Sequence, residues 1–237
     1  MSALSKLKYD TSVNQETDRL GGSFSLLDSD IYTGTIKYAY IQASKTGSLG
    51  LHTAYDIDGK EYSETFYMTT KEGKNFYTTK DGTKNYLAGF NHADALALFT
   101  TGKPISELDT EEKVIKLYNY EQKKEVPTSV DMITDMVGKP INLAIIKKLE
   151  FKKTKQDNGE YVDTTETRET NSIDKIFSAK DNRTTAEVRG EFKAKFYQDW
   201  LTKNKDQVRD TTSGKAKTNM AKAGSTSPKV SSLFADE

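Results

Sequence analysis

The stretch TGTIKYAYIQASKTGS, residues 33–48, decides the fold class. Successive side chains of an extended chain point to opposite faces. Ile36, Tyr38 and Tyr40 therefore share one side, and Lys37, Ala39 and Ile41 the other. Ser44-Lys45-Thr46-Gly47-Ser48 then breaks the pattern as a turn. Alternation resumes in LGLHTAYDI, with Leu51, Thr53, Tyr55 and Ile57 on one face. Asp58-Gly59 is a two-residue hairpin signal, and KEYSETFYMTT returns as a third strand. KEGKNFYTT reads as another turn and strand. Residues 31–80 thus form a meander of three or four antiparallel strands.

Beyond the meander, NHADALALFTT is helical and closed by Gly102 and Pro104. Asp109 and Glu112 have the spacing of a helix cap, but KVIKLYNYEQKKEV reads better as a strand and hairpin. TSVDMITDMVG is expected as a short helix capped by Thr128 or Ser129 and ended by Gly138. KPINLAIIKKLEFKK is a long strand. It turns at Asn158-Gly159 and comes back antiparallel through EYVDTTETRETNSI. Val188, Phe192, Phe196 and Trp200 recur at four-residue steps, the stripe of an amphipathic helix. The expected organisation is a polar leader (1–30), flexible or laid against the domain, one domain (31–201) and a flexible C-terminal tail (202–237). The fold class is α+β, mainly antiparallel β. A five-stranded barrel of the OB type, with hairpin extensions and a C-terminal helix, fits this order of elements.

Composition removes several functions. Among 237 residues there is no Cys, so disulfides, zinc-thiolate sites and thiol nucleophiles are excluded. Thirty-five basic residues balance 35 acidic ones, so any polyanion site must arise from local segregation of charge. MSALSKLKYD lacks the apolar core of a secretory signal, and no apolar run reaches the ~20 residues that span a bilayer. A soluble cytoplasmic protein with no membrane association is expected. The two histidines, His52 and His92, belong to no nucleophilic or zinc-protease motif. DIDGKE begins like a calcium loop but lacks the later ligands. Asp131 and Asp135, four apart on the expected helix, read as a solvated face, and Asp28 and Asp30 are equally bland. No enzyme activity, metal or cofactor is expected.

Three positive features remain. Rings and cations share the meander: Tyr38, Tyr40, Tyr67 and Tyr77 offer stacking faces, and Lys37, Lys45 and Lys74 offer phosphate contacts. Single-stranded nucleic acid is bound by such a mixture, at ~1–3 kcal/mol per stacked base. Alternation also requires about half of these rings to fill the core. Second, Lys147, Lys148, Lys152, Lys153 and Lys155 crowd one strand and its turn. With Lys152, Lys153 and Lys155 at its tip, this is either a basic arm for nucleic acid or an edge strand protected by lysines. Third, the tail carries seven Lys/Arg and four Asp/Glu and ends in Leu233, Phe234, Asp236 and Glu237. That ending is either a docking peptide or a plain disordered end.

The order of these features resembles phage-encoded single-stranded DNA-binding proteins with an OB fold. The matching pieces are YTGTIKYAYIQASKTGSLGL, DGKEYSETFYMTTKEGKNFY, MVGKPINLAIIKKLEF and RETNSIDKIFSAKDNRTTAEV, spanning about residues 31–190. The resemblance implies a non-catalytic protein that coats single-stranded DNA during phage replication, recombination or repair in an infected bacterium. It also implies recruitment of replication or recombination proteins through the C-terminal tail. This tail departs from the family's acidic pattern, being basic up to its last two acids. A β-rich virion or assembly protein, and an RNA-binding or annealing module, are the alternatives.

Overall fold

The computed structural model describes residues 26–119, 122–156 and 161–213. In chain order it contains β1 (Asp30–Ala43), β2 (Leu49–Ile57), β3 (Lys60–Tyr67), β4 (Phe76–Thr78), β5 (Lys84–Tyr86) and α1 (Ala88–Thr101). There follow β6 (Glu111–Asn119), β7 (Lys124–Met132), β8 (Pro140–Lys155), β9 (Tyr161–Phe177), α2 (Thr185–Arg189), α3 (Phe196–Asn204) and β10 (Val208–Asp210). Short 3₁₀ turns occupy Ile105–Glu107 and Thr134–Met136.

The meander forms as the alternation requires. β1 pairs antiparallel with β2, and β2 with β3. Asp58 and Gly59 close the second hairpin with φ of 51° and 77°, the left-handed pair that a two-residue turn demands. The alternation in β1 is not continuous, however. Its register passes from Ile36↔Tyr55 to Tyr38↔Ala54, so Lys37 is the extra residue of a β-bulge, and such a slip exchanges faces. Ile36 consequently joins Ala39 and Ile41 on the main core, while Tyr38 and Tyr40 turn to the opposite face.

Three apolar clusters are found among the described residues. The largest packs Leu96 and its neighbours on α1 against Ile36, Leu51, Tyr55 and Phe66 of the meander and Ile141, Leu143 and Ile145 of β8. Each fully buried aliphatic side chain here contributes roughly 1.5–3 kcal/mol. The long strand β8 therefore reads as an apolar run at its start and turns polar only beyond Ile146. A Cβ on Gly89 would lie 2.2 Å from the Tyr67 carbonyl oxygen, so α1 abuts the end of β3 only because glycine stands in its first turn. On the other side of β8, Ala144 and Ile146 pack with Phe177 and Trp200. Trp200 Nε1 donates to Asp174 Oδ2 at 2.8 Å. The third cluster sets Tyr40 against Val130 and Met132 of β7.

Several expectations are corrected. Residues 128–138 are not a helix: Thr128 and Ser129 lie within β7, and only Thr134–Met136 makes a turn of 3₁₀ helix. Val130 and Met132 alternate into the third cluster, and that packing overrides the cap-like sequence. Asp131 and Asp135 consequently share no helix. The fourth strand, β4, leaves the meander and pairs with β5 in a separate two-stranded sheet. The C-terminal helix is two helices, and Phe192 between them is 67% exposed. The break is made by Glu187, which caps both segments. It forms a capping box with Thr184 on α2, and its Oε1 accepts from the backbone N–H of Lys195 and Phe196 at 2.8 Å each. The stretch read as tail begins inside the fold, because α3 runs to Asn204 and β10 pairs parallel with β8. Arg209 on β10 reaches Asp174 Oδ1 at 2.6 Å. Of the leader, Leu27 packs on the core and exchanges hydrogen bonds with Asn171. The Asn158-Gly159 turn and the tail residues Leu233, Phe234, Asp236 and Glu237 lie outside the described residues. No helix among the described residues is long and apolar enough to cross a membrane.

The fold is α+β and mainly antiparallel, with sheet order β3-β2-β1-β8-β9. Among the described residues no ladder joins β3 to β9, so the sheet does not close into a barrel. A side chain spans the seam instead. Glu64 Oε2 accepts from the N–H of Ile173 on β9 at 2.7 Å and from the Tyr62 hydroxyl at 2.8 Å. Burial raises the Glu64 carboxyl above its ordinary value, although both of these hydrogen bonds oppose the shift. A raised pKa means that the folded state holds this proton more tightly than the unfolded state. The resulting stability is fully present below pH ~4.5 and is lost as pH rises through the folded pKa. Glu64→Gln keeps an acceptor and removes the charge. It is expected to melt higher than wild type at pH 7, with the difference shrinking as pH falls toward 4.5. Glu64→Ala strands two donors and should cost about 1–3 kcal/mol. Thermal melts of the three proteins across that pH range check both statements.

Candidate nucleic-acid interface

The outward face of the meander is set by the bulge. Beyond Lys37, the β1–β2–β3 register brings Tyr38 beside Ala54 and Ser63, Tyr40 beside His52 and Thr65, and Gln42 beside Gly50 and Tyr67. Over this face lies the β6–β7 hairpin, held by Ile115, Leu117, Val130 and Met132 against Tyr38 and Tyr40. Between sheet and hairpin is an open groove of about 550 Å³. Tyr38, Tyr40, His52 and Thr65 line it from the sheet, and Leu117, Val126 and Thr128 from the hairpin.

Its floor is a row of rings. Tyr40 and His52 stack nearly parallel, 5° apart with centroids at 4.9 Å, and Tyr38 tilts against Tyr40 at 5.7 Å. Thr65 Oγ1 lies 3.0 Å from His52 Nδ1. This arrangement corrects the expectation for Tyr40. At 5% exposure, with His52 on one face, it supports the floor and offers no ring to a ligand. Tyr38 is half-buried and Tyr67 is 52% exposed, so both can take a flat partner. The Tyr67 ring lies next to Gly50 on the sheet, 3.5 Å from where a Cβ on that glycine would stand.

The expected cations divide into three groups. Lys37 sits on the bulge and is ion-paired with Glu61. Lys45 and Lys74 are exposed in two turns at the far end of β2 and β3. Those turns abut, because a Cβ on Gly47 would lie 3.5 Å from the Lys71 carbonyl oxygen. Tyr77 is 50% exposed on β4, in the separate small sheet. Lys152, Lys153 and Lys155 are exposed on the β8–β9 arm, outside the groove. There Lys152 pairs with Glu166 at 2.8 Å, as Arg168 does with Glu150, and Lys147 reaches Glu169 at 3.4 Å. The structure thus gathers Tyr38, Tyr40 and Lys37 on one face, with Tyr67 beside them and Lys45 and Lys74 at its end. It separates them from Tyr77 and from the lysine arm.

Sequence reasoning missed His52, Thr65 and the hairpin roof. His52 was visible as a ring within an alternating strand, but pairing it with Tyr40 needs the bulge register. No sequence pattern announced that β6 and β7 would fold across the sheet. Among the described residues there is no group of three or more His, Asp or Glu able to hold a metal ion. Comparison with family models, curated proteins and solved structures finds no match.

Burial lowers the His52 imidazole below its ordinary 6.5. The neutral ring is therefore favoured in the fold. Its contribution to stability is present above pH 6.5 and is lost as pH falls through the lower folded pKa. An NMR titration is expected to show a His52 midpoint below 6.5, and His52→Phe should remove that component of the acid sensitivity.

Proposed function

We propose that this protein binds single-stranded DNA without catalysis, as a coating protein of phage replication, recombination or repair. The observation that carries the reading is the ring-floored groove between sheet and hairpin. Unpaired bases present flat faces, and Tyr38 and Tyr67 receive them by stacking at ~1–3 kcal/mol each. A duplex hides those faces, so the same surface discriminates against it. Among the described residues no Lys or Arg lines the groove itself. Bases therefore point inward while phosphates run outside, toward Lys45 and Lys74 in the turns at the end of β2 and β3; Lys37 is partly neutralised by Glu61. Five of the sheet's eight strands run in the open row β3-β2-β1-β8-β9, and in the chain α1 falls between β3 and β8; this supports an OB-like ancestry, with Glu64 bridging the seam where a ladder would close the barrel. The described C-terminal residues continue into the segment to which recruitment of replication or recombination proteins is assigned.

Fluorescence anisotropy of labelled oligo-dT, with duplex and RNA competitors at two salt concentrations, tests this. Tight, salt-sensitive binding that duplex does not compete is expected; no binding at low salt would refute the reading. Tyr67→Ala or Tyr38→Ala should weaken binding by about 1–3 kcal/mol, or roughly 5- to 150-fold. Reversal of Lys45 and Lys74 to Glu should flatten the salt dependence by about 0.7 for each phosphate that is no longer engaged. Reversal of Lys152 and Lys153 reports separately on the arm. A flatter slope there means that the arm also touches the strand.

A further inference from the structure

We propose that β6 is the pairing edge of a homodimer, formed by two copies of this chain joined antiparallel strand to strand. β6 pairs with β7 over its whole length, Glu111 to Asn119, without a register shift. Among the described residues no strand pairs with its other edge. A nine-residue edge of backbone N–H and C=O groups, free of proline, is a template for a further strand. Alternation sorts its side chains. Ile115 and Leu117 pack down toward Tyr38 and Tyr40, while Glu112, Val114, Lys116 and Tyr118 are exposed. Val114, in the middle of this outward row, is 70% exposed.

Charge complementarity identifies the occupant as a second copy. A two-fold axis at Val114 sets Val114 against Val114, and such an interface presents the same patch from both partners. Glu112 of one copy then faces Lys116 of the other, and the pairing is repeated by symmetry. Two opposite-charge pairs flank an apolar centre, the arrangement that cross-strand packing favours. On the inward side, Lys113 faces Ile115 and Glu111 faces Leu117, so no like charges meet. Moving the axis to Ile115 sets Glu112 against Tyr118 and destroys both charge pairs, so the sequence selects one register. The partners are available. Lys116 forms no ion pair among the described residues, and the Glu112 carboxylate engages the Ser129 hydroxyl through Oε1 at 2.5 Å. The inference does not depend on nucleic-acid binding.

Sedimentation equilibrium of the full chain, from micromolar to hundreds of micromolar, is the test. Wild type is expected to show a monomer–dimer equilibrium that weakens with salt. Glu112→Lys alone and Lys116→Glu alone each place like charges face to face and should weaken the dimer roughly tenfold or more. Mixing those two variants restores opposite charges across the interface and should restore dimerisation as a heterodimer. Val114→Lys should abolish it. All three substituted positions are exposed, and circular dichroism melts verify that each variant is folded; should Val114→Lys fail to fold, the mixing experiment decides. A wild type that stays monomeric at the highest concentration overturns the proposal. So does a dimer that survives all three substitutions, or charge variants that fail to recover on mixing.

Discussion

One strand edge organises the molecule. β1 offers a long row of backbone groups opposite β2, and a single later segment satisfies it. Asp131 and Met132 of β7 pair with Ile41 and Tyr40, and residues 140–145 pair with residues 35–30. Between these ladders the chain detours around the bulge. Ile133 N–H donates to the Ala39 carbonyl at 2.8 Å, Gly138 N–H to Ile36 at 2.8 Å, and Ile36 N–H to Lys139 at 3.0 Å. Buried backbone groups must be paired, so the kink in β1 and the 3₁₀ turn opposite it require each other. The same kink sends Tyr38 and Tyr40 outward and leaves β7, with β6 attached, lying across them. Groove, roof and ring floor all descend from that one accommodation.

Local chemistry made much of this legible. Asp58-Gly59 could be little other than a hairpin, KPINLAIIKKLEFKK read as the long strand that β8 is, and Gly102 closed α1 as expected, with φ of 79°. The failures share a cause. Lys37 carries no mark of a bulge; only the register of its neighbours reveals it. The 128–138 segment has good caps, but Val130 and Met132 gain more by facing Tyr40. Glu187 divides the final helix through bonds to residues eight and nine positions later, beyond any helical period. β10, three residues long, is too short to show a pattern. For the candidate site, alternation placed rings on the strands but could not tell that Tyr40 would be buried against its cross-strand neighbour His52.

A chain of zero net charge distributes its charges differently over the β8–β9 arm and the groove. Acid and base are interleaved along the β8–β9 arm, where Lys152, Arg168 and Lys147 all find carboxylates across the ladder. Exposed pairs of this kind contribute ~0–1 kcal/mol each, and their main effect is to quiet the field of the arm. That pattern suits a protected edge. The groove differs, with rings on its floor and, among the described residues, no Lys or Arg in its lining.

The dependence of β1 on a distant partner also shapes how the chain acquires its fold. Asp30 pairs with Ile145, a separation of 145 − 30 = 115 residues, whereas β2–β3 and β6–β7 close over a few. Local hairpins form in microseconds, but the β1 edge must wait for loop closure across more than a hundred residues. During synthesis at ~10 residues per second, that wait lasts on the order of 10 s. For this interval the meander stands with one edge open, and it is the arrival of β8, not the formation of the first strands, that commits the chain to its native state.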